Sequence, residues 1–234
     1  MVLLGSFLNA LFIVIGALIG RKFKNIPEKM KDTVMSIIGL AVAVLGIQMG
    51  FQSDNFIIII VSLVVGTVIG EWLDLDALFN RFGQWVESLF GSKSDGKVAE
   101  GFVTASLIFV IGSMAIIGAL DSGLRQDHNV LITKGIIDGF TAIILASTLG
   151  IGVLLSAVPV FIYQGAIALL AGVISLVVPD AALDLFIKEM TATGGIMIVA
   201  IGLNIAGLTK IRVANLLPGI LVVAVIVAII FPFQ

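Results

Sequence analysis

The chain has 234 residues, 59% of them hydrophobic and 12% charged, with a mean hydropathy of +1.22 and a formal net charge of −2. That is the composition of an integral membrane protein, and without a basic excess it excludes a nucleic-acid partner. The absence of cysteine removes disulfide frameworks, thiolate catalysis and zinc–thiolate sites, and the single histidine, His128, leaves no histidine-rich metal site.

An apolar helix needs about 20 residues to cross the hydrocarbon core. Eight stretches near that length predict an all-α bundle of eight spans: 2–20, 33–51, 55–70, 101–120, 134–156, 158–178, 190–207 and 213–231. The first lacks a basic leader and a small-residue cleavage site, so it reads as a retained span. The third is short, and the connections at 51–55 and 156–159 are sharp enough to belong to re-entrant turns. Residues 71–91 are too polar to span. They carry Trp72, Leu75, Leu78, Phe79, Phe82, Trp85, Val86 and Leu89 at helical spacing, which predicts an amphipathic in-plane helix packed on the protein, on a partner subunit or on lipid. Gly91 to Lys97 reads as a flexible linker.

Of the 13 Lys and Arg residues, all but Arg125, Lys134 and Lys188 fall on one side of this eight-span chain. The positive-inside bias then puts the heavily charged loops in the cytoplasm and both termini outside.

Sliding the chain against itself brings 2–20 onto 158–176 and 33–51 onto 189–207. Gly16 meets Gly172, Gly39 meets Gly195, Gly46 meets Gly202, Phe7 meets Tyr163 and Gln48 meets Asn204. Span one then matches span six, and two matches seven, which relates helices of opposite direction. That is the pattern of an inverted-topology repeat, the device by which many secondary transporters build two exchangeable gates around one site. A second register brings Glu100-Gly101-Phe102 onto Asp138-Gly139-Phe140 and Gly112 onto Gly150. The expected organisation is one membrane domain, 1–234, with a first repeat at 1–70, the amphipathic helix and linker at 71–97, a central helix pair at 98–156 and a second repeat at 157–234.

Carboxylates at or below a bilayer boundary mark ion or substrate paths. Glu100 and Asp138 each open an apolar segment, where a helix dipole also favours an acidic side chain. Asp138 lies deeper, between Ile136-Ile137 and Phe140, Ile143 and Ile144; Lys134, four residues earlier, is its candidate ion-pair partner. Without that partner Asp138 would bind a cation or relay a proton. Thr104, Ser106 and Ser113 in span four, and Thr141, Ser147 and Thr148 in span five, add hard oxygens suited to protons, alkali cations or polar solutes. They could equally bond their own backbone. Gln48 and Asn204 are carboxamides inside spans and are expected to face the bundle interior, as are Asn9, Gln164 and Asn215. The Gly16/Gly20, Gly46/Gly50, Gly66/Gly70 and Gly135/Gly139 pairs read as close-packing ridges. Thr193-Gly194-Gly195, Gly150-Ile151-Gly152 and Asn215 to Gly219 are candidates for local unwinding.

Glu100-Gly101-Phe102-Val103-Thr104-Ala105-Ser106-Leu107, Asp138-Gly139-Phe140, Ala146 to Gly152, Tyr163-Gln164-Gly165 and Asn215-Leu216-Leu217-Pro218 together resemble the YdfK/YqgA family of bacterial inner-membrane proteins, nearly end to end. The resemblance implies a bacterial cytoplasmic-membrane location and supplies neither substrate nor catalytic residues. No nucleotide-binding loop, nucleophile elbow or HExxH helix is present.

The expectation is a non-enzymatic secondary transporter or channel-like carrier, dimeric, embedded in membrane lipid and free of cofactors. It would move a small cation, proton or polar solute past Asp138 and Glu100, with Thr104, Ser106, Thr141, Ser147 and Thr148 completing the site and Gln48 and Asn204 framing it. The alternative is a membrane scaffold or regulatory subunit whose carboxylates are structural.

Overall fold

A computed structural model describes residues 1–22, 28–90 and 97–231. Among them the chain is helical throughout: α1 (Leu4–Lys22), α2 (Glu28–Gly50), α3 (Phe56–Leu73), α4 (Leu75–Phe90), α5 (Lys97–Val110), α6 (Ser113–Leu124), α7 (Asn129–Leu149), α8 (Gly152–Leu155), α9 (Ala157–Val177), α10 (Asp180–Ile205), a 3-10 turn (Val213–Leu216) and α11 (Pro218–Ile230).

Among the described residues, six stretches are long and apolar enough to cross a membrane, and a seventh is reached if α5 and α6 count as one broken span. The two departures from the eight expected spans have local causes. The expected continuous helix 101–120 is two helices bent by 63°, because Gly112 takes φ +139°, a conformation closed to most side chains. In α2 the apolar part is only Ser36–Gly50, since its first turns carry Glu28, Lys29, Lys31 and Asp32.

Three further expectations are adjusted. The amphipathic helix is α4 alone: Glu71, Trp72 and Leu73 complete α3, which stops where Asp74 turns left-handed (φ 47°) and returns its N–H to the Glu71 and Gly70 carbonyls. The linker at 91–97 lies outside the described residues except for Lys97, which opens α5. Thr193-Gly194-Gly195 does not unwind; it lies within the unbroken α10. The other two candidate breaks are present. Gly150, at φ +77°, ends α7, and a 3-10 turn with Pro218 behind it precedes α11.

The chain divides into two compact units. Unit 1, Met1–Ile26 with Asn80–Val177, contains α1 and α5 to α9. Its centre is the α1–α7 seam, where Gly135 accepts the Asn9 backbone (a Cβ there would lie 2.9 Å from Asn9 Cα), Gly16 abuts Gly139 and Gly20 abuts Ile143. Contacts advance together along both helices, so α1 and α7 run parallel.

Unit 2, Pro27–Phe79 with Val178–Gln234, contains α2, α3, α10, the 3-10 turn and α11. Its principal seam joins α2 to α10 through four glycines. A Cβ on Gly39 would lie 2.5 Å from Ala206 N and 2.6 Å from Gly202 O, and a Cβ on Gly195 would lie 2.5 Å from Gly50 N and 2.6 Å from Gly46 O. The register descends on one helix as it rises on the other, so the pair is antiparallel. α3 and α11 are antiparallel too, with Gly66 against Gly219 and Gly70 against Asn215. Each seam has glycine on at least one side of every contact named, which is how helices approach closely when no hydrophobic gain is available from lipid.

Candidate functional site

Unit 1 buries a polar cluster at the meeting of α1, α7 and α9. Lys134 and Asp138 stand one helical turn apart on α7, so their side chains share a face; both are buried, 6% and 5% exposed, and they form an ion pair. From α1, the amide of Asn9 donates to Gln164 Oε1 on α9 at 3.2 Å, and its side chain also lies within reach of the Asp138 carboxylate. It can do so because Gly135, between Lys134 and Asp138, leaves room for the α1 backbone.

The cluster is not saturated. Asn9 Oδ1, Gln164 Nε2 and the Ser6 hydroxyl are buried and have no hydrogen-bond partner in the protein, although each of the three residues is fully enclosed. Orphaned polar atoms at such a position are costly. They leave one acceptor, one donor and one hydroxyl available to a small polar group, beside an ion pair that is already neutral overall. A carboxylate held by a fixed ammonium is a poor ligand for a bare cation, but the pair as a whole can orient a dipole or a second ion pair.

The other expected residues are dispersed. Glu100 is on the first turn of α5, with an exposed side chain. Thr104 is buried on α5; on the same helix Ser106 has a buried, unpartnered hydroxyl. Thr141 bonds Ile137 O, Ser147 bonds Ile144 O and Thr148 bonds Leu145 O, each at 2.7–2.9 Å, so these three hydroxyls are turned onto their own helix. Gln48 does not face the interior: it is exposed on α2. Asn204, its repeat mate, ties down the chain after α10, accepting from Thr209 Oγ1 and Ile211 N and donating to Ile211 O. Asn215 is fully buried and accepts the Asp76 N–H at 2.7 Å.

Sequence reading missed a second buried carboxylate. Glu189, on α10 in unit 2, is 1% exposed and accepts a 2.6 Å hydrogen bond from Ser53 Oγ. Placing the seventh span at 190 left Glu189 one residue outside the apolar stretch. The available signal was helical phase, because Thr193 and Met197 follow it at intervals of one turn and are buried with it. Among the described residues no group of three His, Cys, Asp or Glu is placed to hold a metal ion.

Comparison with known proteins agrees with this architecture without adding a substrate. The chain is similar to "Uncharacterized membrane protein YdfK" of Bacillus subtilis (strain 168), 37% identical over 235 residues, covering 98% of this chain and 97% of the relative. It is similar also to "Uncharacterized protein YqgA" of Escherichia coli (strain K12), 30% identical over 224 residues and 93% of each chain. No solved structure matches. The model of the family described as "Protein of unknown function (DUF554)" matches residues 4–228, and the chain therefore belongs to that family.

Proposed function

We propose that this protein is a secondary carrier of a small polar solute or cation across the bacterial cytoplasmic membrane, working without enzymatic chemistry and as a homodimer in lipid. The observation that carries the reading is the unsaturated polar cluster of unit 1. Asn9, Lys134, Asp138, Gln164 and Ser6 are buried between three apolar helices, and three of their polar atoms are unpaired. Buried polar groups inside an apolar bundle are retained where they meet cargo, and the orphaned atoms of the cluster match a ligand able both to donate and to accept. The cargo of this reading is therefore a neutral or zwitterionic polar solute before a bare metal cation.

The inverted repeat is part of the proposal, and the α2–α10 seam supports it. In the register that pairs Gly39 with Gly195 and Gly46 with Gly202, the partners of Gly39 (Gly202 and Ala206) are the mates of the partners of Gly195 (Gly46 and Gly50), and the distances agree: 2.5 and 2.6 Å in each case. Equal contacts with partners exchanged are what a local two-fold axis produces. The mates also sort together, α1 with α9 in unit 1 and α2 and α3 with α10 and α11 in unit 2.

A scaffold is the second reading, favoured by the Lys134–Asp138 pair and by the hydroxyls of Thr141, Ser147 and Thr148 bonded to their own backbone. The deciding experiment is flux into proteoliposomes for a panel of amino acids, small amides, polyols and alkali cations, with Asn9→Leu, Gln164→Leu and Asp138→Asn alongside. The carrier reading expects transport of one solute class, reduced at least tenfold in all three variants while they remain folded. Absence of flux for every solute would give the protein to the scaffold.

A further inference from the structure

Unit 2 holds a buried acid that the carrier site does not use. Glu189 is enclosed by α10 and the turn at 51–55, and that turn is fastened to it at two neighbouring points: Ser53 Oγ donates to Glu189 Oε2 at 2.6 Å, and Asp54 forms an ion pair with Lys188. The Ser53 hydroxyl is itself held, because it accepts the Asn55 N–H at 3.0 Å while its proton goes to Glu189. One turn deeper on the Glu189 face of α10, the Thr193 hydroxyl is fully buried and unpartnered.

The charged groups around Glu189 are few. Lys188 is its neighbour in sequence, but its ammonium is engaged by Asp54 on the exposed turn. Asp180 and Asp184 lie earlier on α10. The apolar part of α2, Ser36–Gly50, carries no charge, α3 carries Glu71 only at its far end, where it pairs with Arg212, and α11 carries none. Among the described residues no ion pair reaches Glu189 itself. A divalent cation would require about six oxygens, whereas a proton needs only the carboxylate and a hydroxyl, which are the groups supplied.

We propose that Glu189 is a proton-binding site: its carboxylate takes one proton from hydronium at the 51–55 turn, the hydronium O–H bond breaking to leave water as the carboxyl O–H bond forms, with Ser53 as its hydrogen-bond partner and the Thr193 hydroxyl one turn further along the same face, and it returns the proton to water by the same path. Burial of a carboxyl group whose neighbouring cation, Lys188, is engaged by Asp54 favours a neutral occupant. The turn 51–55 lies on the outer face if the positive-inside bias holds, so the site would load from outside. Proton binding at Glu189 goes beyond the carrier reading and does not depend on it; only its coupling to cargo does.

The test is infrared difference spectroscopy on the full chain in lipid, stepped from alkaline to acidic buffer. We expect a protonated-carboxyl C=O band that rises with acid, disappears in Glu189→Gln and survives in Asp138→Asn. In Ser53→Ala, which keeps the acid, the band shifts to higher frequency because it loses its hydrogen-bond donor. A band unchanged in Glu189→Gln, or no titrating band at all, overturns the proposal. So does a band whose titration moves in proportion to alkali cation concentration, which would make the site a cation site. A Glu189 band in a protein that carries no solute leaves the proton site standing and removes the carrier reading, so the two failures are distinguishable.

Discussion

Lys134 and Asp138 test whether a buried charge pair serves the fold or the cargo. Removing one member strands the other in an apolar interior, and a stranded buried charge costs about 3–5 kcal/mol, whereas replacing both by apolar groups of similar volume is close to neutral. Lys134→Met should therefore lower stability by about 3–5 kcal/mol, and the double variant Lys134→Met/Asp138→Leu should recover most of that loss in thermal unfolding of the purified protein. If the pair serves cargo, the recovered double variant remains without flux. A double variant that is both stable and fully active would reduce the pair to packing. Asn9 and Gln164 sharpen the comparison, because replacing one alone strands its buried partner at a cost of about 1–3 kcal/mol, whereas replacing both removes the bond from both sides. The joint Leu variant should therefore unfold at a higher temperature than either single variant, while flux falls in all three.

The seams between helices lead to a prediction about glycine. Adding a methyl group where none fits forces a shift that typically costs 1–3 kcal/mol, in round terms about 2. Gly46→Ala and Gly202→Ala should each destabilise by about 1–3 kcal/mol and, if the α2–α10 seam is two-fold, by equal amounts. Gly16→Ala should be as damaging, because Gly16 abuts the Gly139 backbone, whereas its repeat mate Gly172 has open space where a Cβ would lie and Gly172→Ala should be neutral or slightly stabilising. Thermal unfolding of the four variants reads all of this. A damaging Gly172→Ala, or unequal losses at Gly46 and Gly202, would count against the seam as described. These ridges were legible in the sequence because small residues four apart have one dominant use in an apolar helix. The breaks were legible only in part. Gly150 stands beside Gly152, and Pro218 follows a carboxamide, so both interruptions are written locally. Gly112 lies in an apolar run broken only by Ser113, and its backbone angle is what marks the bend. Thr193-Gly194-Gly195 had the composition of a break, yet Gly195 is used to seat α2, a choice made by tertiary contact. Glu189 and Gln48 failed for the same reason in opposite directions: hydropathy locates a span but does not say which side of the helix is enclosed. The sequence brought Asp138 and Lys134 together because a four-residue spacing fixes neighbours on a helix. Asn9 and Gln164 meet across 155 positions, and no local pattern could pair them.

At the scale of the whole chain the decisive quantity is parity. Within unit 1, α1 and α7 are parallel, and within unit 2, α2 and α10, like α3 and α11, are antiparallel. These are the directions that odd and even spans must have if the chain crosses the bilayer at each apolar segment from α1 to α11, with α5 and α6 together making one broken crossing. An inverted repeat requires that parity, since shifting by an even number of crossings would give a repeat of the same direction. The absence of cysteine makes the point measurable without background. Arg125, after α6, and Lys210, after α10, are both exposed and are separated by three crossings: α7, α8 with α9, and α10. In intact bacteria, Arg125→Cys should react with a membrane-impermeant maleimide, and Lys210→Cys should react only after permeabilisation. The reverse pattern would preserve parity and overturn the orientation drawn from the basic loops. Labelling of both from the same side would mean an even number of crossings between them, so that one of those helices turns back within the membrane. The repeat would then lose the antiparallel relation on which two exchangeable gates depend, whatever the glycine seam shows.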